Sequence, residues 1–182
     1  MLLSGAYNWH NGVFNQVHVP ERMHLGMREE TVTYAMRLRD AGYRTGYVGK
    51  WHAHWTKGPL DYGYARASDP NCYGPEAVAR SNFRPDDLYR NRRERYPTSI
   101  RDQRVINWPG GAEWPVWIEH EGPLEGRHAH FLADRTIDML QEFADQDGPW
   151  LLEMHSPEPH DPFQPHIDFA GRYDWRDVPL PE

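Results

Sequence analysis

Two segments of the chain share one order of features: a helical period, a short run of strand-forming residues and then a polar cluster that contains histidine. Apolar residues at helical spacing predict a helix over 127–145, and an apolar run of buried-strand type follows at 150–154. The same order holds over 28–60, where a helix is expected to begin near the acidic residues 29 and 30 and a strand to cover 43–48. Two such units predict an α/β fold with a mainly parallel sheet.

Each polar cluster directly follows one of the two predicted strands. Residues 49–52, GKWH, come after the first strand, and the proline-rich residues 155–163 come after the second. In parallel sheets, ligands bind beyond the carboxyl ends of the strands. The functional site is therefore expected at this edge of the sheet.

Lys50 and His52 are candidate site residues because an extended backbone places residues two apart on the same face. A cation beside a titratable imidazole is suited to binding an oxyanion. Of the 20 basic residues only Lys50 and Lys57 are lysines, and a compact ammonium differs from a planar guanidinium when a tetrahedral anion must be contacted. A surface lysine and a structural histidine remain the alternative interpretation.

His160 is the third candidate, since Pro159 and Pro162 flank it and stiffen its loop. An imidazole titrates near neutral pH, so it can donate a proton to a leaving group there. A loop histidine that is merely hydrogen-bonded fits the same residues. His155, at the end of the second strand, is expected mainly to pack or to support its neighbours.

Composition excludes several classes of partner and site. The net charge of −7 argues against nucleic acid or an anionic membrane as partner, and the arginine-rich run 90–95 is interpreted as a solvated face within an acidic chain. No apolar run is long enough for a membrane span. The single cysteine, Cys72, excludes an internal disulfide framework and a cysteine-rich zinc site. His128 and His130 diverge on a helix and are poorly placed to chelate a metal.

The remaining segments show no sustained period. Residues 61–126 are expected to form an irregular insertion with one short helix near 86–94, and residues 156–182 an extended, proline-rich surface segment. The chain, 1–182, is interpreted as part of a single domain.

Several motifs, in order and at matching spacing, resemble those of the sulfatases of the alkaline-phosphatase-like superfamily. Residues 38–52, LRDAGYRTGYVGKWH, resemble the pattern L-x-x-A-G-Y-x-T-x-x-x-G-K-W-H, and residues 58–64 resemble the turn that follows it. Residues 149–152 and 159–163 resemble the later strand and the D-P-H-x-P loop, with Glu158 in place of the usual aspartate.

Residues 2–7, LLSGAY, resemble the pattern L-L-T-G-x-Y, which in sulfatases directly follows the nucleophile motif. The resemblance implies a partial N-terminal catalytic domain, an α/β/α sandwich that is incomplete at both ends. The nucleophile and the metal ligands would lie outside the chain, so no metal ligand is assigned to it. The expected partner is the remainder of the same catalytic domain, and the chain alone is expected to be inactive.

For the intact enzyme the resemblance implies metal-assisted hydrolysis of sulfate monoesters of small molecules or carbohydrates, with a formylglycine nucleophile and a divalent cation, usually calcium. By position, Lys50 would hold oxygens of the nucleophile and of the sulfate. His52 would bond the formylglycine hydroxyl, and His160 would contact the sulfate and protonate the departing oxygen.

Two alternatives stay open at this point. One is a phosphonate or phosphate ester hydrolase of the same superfamily, which shares the lysine and histidine positions. The other is a non-catalytic relative that binds anions or carbohydrate. Tryptophans of the insertion could shape a pocket for the alcohol half of the substrate, although core packing also explains them: Trp108, Trp114 and Trp117.

Overall fold

The computed structural model describes residues 2–14, 26–68, 92, 94–107, 110, 111 and 113–179. This part of the chain includes the helices α1 (Asn8–Asn11), α2 (Tyr34–Asp40) and α3 (His128–Ala144). The strands are β1 (Arg44–Gly49), β2 (Arg66–Ser68), β3 (Ser99–Asn107), β4 (Glu113–Glu121) and β5 (Trp150–His155). Single turns of 3-10 helix cover Pro59–Tyr62, Leu124–Gly126 and Trp175–Asp177.

Three strands form a parallel sheet in the order β2-β1-β5, and β3 pairs with β4 as a separate antiparallel ribbon. β1 and β5 run in register along their whole length, so that Gly49 at the end of β1 lies opposite His155 at the end of β5. The α/β class and the parallel sheet predicted from the sequence are confirmed. The architecture is consistent with part of an alkaline-phosphatase-like fold.

Helices cover the two faces of the parallel sheet, because successive strand residues point to opposite sides. On one face Tyr47 packs in a core cluster with Ala35 of α2. On the other face Val48 packs with Phe131 and Leu132 of α3. Both faces of β1 are therefore buried, which fixes the end of this strand firmly in the molecule.

Helix α2 begins later than the sequence predicts. Thr33 is its N-cap: the hydroxyl accepts the N–H of Met36 at 3.1 Å and donates to the carbonyl of Tyr62 at 2.7 Å. The acidic residues expected at the helix start lie before it, and one of them, Glu29, forms an ion pair with Lys57. The predicted start was wrong because a buried threonine, rather than the acidic pair, caps the helix.

The expectation of irregular structure over 61–126 was wrong for β2, β3 and β4. Two register shifts interrupt the β3–β4 ladder, and all of β3 is exposed, so neither strand shows a regular polar–apolar alternation. Residues 156–182 follow this ribbon in part, since Trp117 pairs with Phe163 and His120 with His166. Cys72, Trp108 and most of 86–94 lie outside the described residues.

No helix in the described ranges combines the length and apolar character needed to cross a membrane.

Candidate functional site

A cavity of about 610 Å³ opens at the carboxyl edge of the parallel sheet. One part of its wall follows β1 and β5, and another part comes from the N-terminal segment, which adds apolar residues such as Leu3 and Phe14. The polar residues in the wall are Asn8, Asn11, Lys50, His52, His155 and Ser156. The site predicted at this edge of the sheet therefore coincides with a cavity.

Lys50 is the first residue after β1, and its backbone is fixed from two sides. Its N–H donates to the carbonyl of His155 at 2.7 Å, and its own carbonyl accepts a hydrogen bond from the buried Tyr47 hydroxyl. Residue 50 is thus tied to both β1 and β5. This anchoring holds the backbone of the lysine in the cavity wall.

The two lysines differ in their surroundings. Lys57 Nζ lies 2.7 Å from Glu29 Oε1, whereas no salt bridge is formed by Lys50 within the part of the chain that the structure describes. A cation that faces a cavity without a protein carboxylate attracts an anionic ligand more strongly than a paired one. Lys50 is therefore the candidate cation for an anion at this edge of the sheet.

His52 is exposed and lies in the same cavity wall as Lys50. Between them, Trp51 is 1% exposed, and its indole N–H donates to the carbonyl of Lys57 at 2.9 Å. The buried indole anchors the segment from within the core. The structure brings Lys50 and His52 together, as their spacing in the sequence predicts.

His155, which the sequence assigned mainly a packing role, also lies in the cavity wall. Its ring stacks on Tyr47, with the ring centroids 4.9 Å apart and the planes inclined by 19°. Its Nε2 lies 2.8 Å from Glu153 Oε2. The imidazole is therefore held in one orientation by a ring contact and a charged hydrogen bond.

Glu153 is a half-buried carboxylate with three hydrogen-bond donors. His155 donates to Oε2, and the hydroxyls of Tyr34 and Tyr64 both donate to Oε1. Burial alone raises the pKa of Glu153, but these hydrogen bonds outweigh it and leave the pKa below its usual value. Burial, and then the bond to Glu153, raises the pKa of Tyr34 to about 12.

Replacing Glu153 by glutamine is expected to lower the free energy of unfolding at neutral pH by about 2 kcal/mol, because hydrogen bonds to a charged group are strong. A carboxyl whose pKa is depressed by folding stabilises the protein above its unfolded pKa, 4.5, and this contribution is lost as the pH falls through the folded value. The difference between wild type and Glu153→Gln should therefore shrink below about pH 4.5. Urea unfolding of both proteins at pH 7 and pH 4 measures this difference in the free energy of unfolding.

The matched control is Glu142→Gln, which removes a partly exposed ion pair with Arg66. Such pairs contribute little, so its effect should stay below about 1 kcal/mol at both pH values. Equal effects of the two substitutions, or a Glu153→Gln effect that does not change with pH, would contradict the role given to the buried carboxylate.

His160 does not line the cavity that contains Lys50 and His52. Its side chain is 63% exposed; its backbone N–H donates to the carbonyl of Pro157 at 3.0 Å, and its Nδ1 lies 2.7 Å from the carbonyl oxygen of Asp161. The loop starts from the same sheet edge, because it follows β5. His160 as a site residue stays a prediction.

Contacts that the sequence does not reveal hold the His160 loop on both sides. The indole N–H of Trp114, in β4, donates to Asp161 Oδ2 at 3.0 Å. Arg127, at the start of α3, is 8% exposed; it donates to the carbonyl of Gln164 and lies 4.0 Å from Glu158 Oε1. Glu158, which replaces the aspartate usual in the family, is thus part of this anchoring.

Other histidines have structural roles. Nδ1 of the buried His54 accepts the N–H groups of Thr56 and Lys57, both at 3.1 Å. Burial, and then the charge of Lys57, lowers the pKa of His54, which favours the neutral ring. His130 Nδ1 lies 3.3 Å from Asp134 Oδ2, on the outer part of α3.

A metal centre does not fit the residues that the structure describes. Within 2–14, 26–68, 94–107 and 113–179, no three histidine, cysteine, aspartate or glutamate side chains come together in a way that could hold a metal ion. No chemical step is therefore derived through a metal.

Comparison with known proteins gives a consistent result. The family model described as Sulfatase matches residues 1–180. The chain is 25% identical over 169 residues to the uncharacterized sulfatase YidJ of Escherichia coli, covering 89% of this chain and 29% of that protein. It is 24% identical over 215 residues to the N-acetylgalactosamine-6-O-sulfatase of Bacteroides thetaiotaomicron, covering 94% of this chain and 40% of that protein. The chain therefore spans less than half the length of these relatives.

Proposed function

The chain belongs to the sulfatase family, and from this premise we propose that the complete gene product hydrolyses sulfate monoesters at the edge of the parallel sheet. The observation that carries the proposal is the placement of Lys50 and His52 in one cavity wall beyond β1. A cation and an imidazole that face the same space can each bind an oxygen of one anionic group, such as a sulfate ester.

Lys50 is proposed to bind a sulfate oxygen through its ammonium group. Two backbone hydrogen bonds fix the main chain of residue 50, which sets the point from which the side chain reaches the sulfate oxygens. The ammonium has no carboxylate partner within the described ranges that would compete for it.

His52 and His160 are proposed to handle protons. His52, beside Lys50 in the cavity wall, would bond the nucleophile hydroxyl and remove its proton when the intermediate collapses. His160 would contact the sulfate and give a proton to the departing alcohol oxygen. The tethers from β4 and α3 limit the freedom of the His160 loop, which favours a defined position for this donor.

A formylglycine nucleophile and a divalent cation, calcium in most of the family, are proposed for the complete enzyme. A cation of this kind would neutralise charge on the sulfate group. The described residues do not form a metal site, and the sequence contains no C-x-P-S-R or S-x-P-S-R motif. The roles of Lys50, His52 and His160 are therefore the part of the mechanism assigned to this chain.

The complete gene product is expected to hydrolyse 4-nitrophenyl sulfate with a kcat/KM at least tenfold higher than that for 4-nitrophenyl phosphate. The 182-residue chain alone is expected to show no turnover of either ester, since it contains no nucleophile motif. Initial-rate assays of both proteins on both esters make the measurement.

Each outcome of these assays has a distinct meaning. Preference for the phosphate ester would contradict sulfatase activity and favour a phosphate ester hydrolase. Absence of turnover by the complete gene product, together with binding of inorganic sulfate, would favour a non-catalytic anion-binding relative. Turnover by the 182-residue chain would contradict the assignment of the nucleophile to another part of the enzyme.

A further inference from the structure

His155 is joined to the proposed site through both backbone and side chain. It is the last residue of β5, opposite Gly49, and its carbonyl accepts the N–H of Lys50 at 2.7 Å. His155 lines the same cavity as Lys50 and His52. Three groups that can carry positive charge therefore surround one space.

The orientation of the His155 ring is fixed in a way that leaves one nitrogen available. Nε2–H donates to Glu153 at 2.8 Å, and the ring face stacks on Tyr47. Nδ1 makes no hydrogen bond to any residue that the structure describes. A carboxylate that holds one nitrogen of an imidazole sets the direction in which the other nitrogen acts on a ligand.

The cluster beneath His155 is costly for a purely structural contact. A carboxylate loses hydration when it is buried, and three hydrogen-bond donors offset this cost for Glu153. Two of the donors are tyrosine hydroxyls from outside β5. Tyr34 comes from α2, and Tyr64 precedes β2. Two separate elements thus converge on the residue that holds the imidazole.

We propose that His155 is a third residue that contacts the anion in the cavity, through Nδ1, and that Glu153 is its positioning residue. The inference rests on the proposed function for the identity of the ligand, a sulfate group. In the protonated ring both nitrogens donate, so the ring can bond Glu153 and a sulfate oxygen at once. Among the residues that the structure describes, Tyr47 and Glu153 contact the ring directly, Tyr34 and Tyr64 bond Glu153, and Lys50 and His52 line the same cavity.

Sulfate binding to the complete gene product, labelled with ¹⁵N in its histidine rings, tests the proposal. Sodium sulfate is titrated at constant ionic strength while ring nitrogen signals are followed by NMR and the Kd by calorimetry. In the wild type the Nδ1 signal of His155, assigned with His155→Gln, should shift with sulfate saturation. His155→Ala should raise the Kd at least fivefold, and His155→Gln should raise it less because the amide still donates.

Glu153→Gln should raise the sulfate Kd about threefold and move the Nε2 signal of His155, a change that loss of stability alone would not produce. The matched control is His130→Ala, since His130 also contacts a carboxylate but does not line the cavity. The sulfate Kd of this variant should equal that of the wild type.

The proposal is overturned if the Nδ1 signal of His155 does not move on sulfate saturation of the wild-type protein. It is also overturned if His155→Gln and His155→Ala bind sulfate like the wild type. The two proposals fail separately. Ester hydrolysis with unchanged sulfate binding in the His155 variants removes only this inference, whereas His155-dependent sulfate binding without hydrolysis removes only the proposed function.

Discussion

Replacing Lys50 by alanine in the complete gene product is expected to lower kcat for 4-nitrophenyl sulfate at least tenfold, a loss of about 1.4 kcal/mol or more of transition-state stabilisation. Removal of one fixed donor at a site of developing charge commonly costs more than this. The side chain leaves a cavity wall, not the core, and the backbone bonds from residue 50 to His155 and Tyr47 do not depend on it. Folding should therefore be retained.

The chain offers a matched control in its other lysine. Lys57→Ala removes the same charge from an ion pair with Glu29 that lies outside the cavity wall, and its kcat should stay within about twofold of the wild-type value. Steady-state kinetics of the three proteins, with circular dichroism to verify folding, make the comparison. A Lys50→Ala variant as active as Lys57→Ala would remove Lys50 from the site.

Replacing Gly49 by alanine is expected to lower the free energy of unfolding by about 3 kcal/mol, the sum of a left-handed backbone penalty and a clash in a packed region. Gly49 has φ +96°, and an added Cβ would lie 2.2 Å from the carbonyl oxygen of His155. That oxygen accepts the N–H of Lys50, so the substitution separates the ends of β1 and β5 where the site is built.

Gly42→Ala separates the two causes of this loss. Gly42 has a similar φ, +88°, but an added Cβ there would meet no atom within 4 Å, so only the backbone penalty of about 1 kcal/mol applies. Urea unfolding of the two variants provides the comparison. Equal losses in Gly49→Ala and Gly42→Ala would show that β1 and β5 do not approach each other as closely as described.

The parts of the fold that the sequence predicted well are those with local patterns. The predicted helix 127–145 matches α3, His128–Ala144, because one apolar stripe meets the sheet. The strands predicted at 43–48 and 150–154 match β1 and β5 to within a residue at each end, since each lies on a short run of strand-forming residues bounded by polar or turn residues. Because β1 and β5 pair in parallel, the residues that follow the two strands lie at the same edge of the sheet.

The parts that the sequence did not predict depend on contacts between distant residues. Nothing in the local period near 30 shows that Thr33 will reach the carbonyl of Tyr62 and cap α2. The β3–β4 ribbon is stabilised by pairing between its two strands, and its register shifts break the alternation by which strands are recognised.

The candidate site shows the same division. Lys50 and His52 could be predicted because alternation along one strand end is a local property. The orientation of His155 could not, since it depends on Glu153 and on the hydroxyls of Tyr34 and Tyr64, which are 119 and 89 residues away from Glu153 in the chain. The position of His160 relative to the cavity depends equally on tethers from β4 and α3.

The most direct test of the proposed site is a crystal structure of the complete gene product with bound sulfate. We predict one sulfate ion in the cavity beyond β1, with Lys50 Nζ and ring nitrogens of His52 and His160 each at about 3 Å from its oxygens. A sulfate ion bound away from Lys50 and His52, or a His160 ring too distant to share the ion with them, would contradict the proposal.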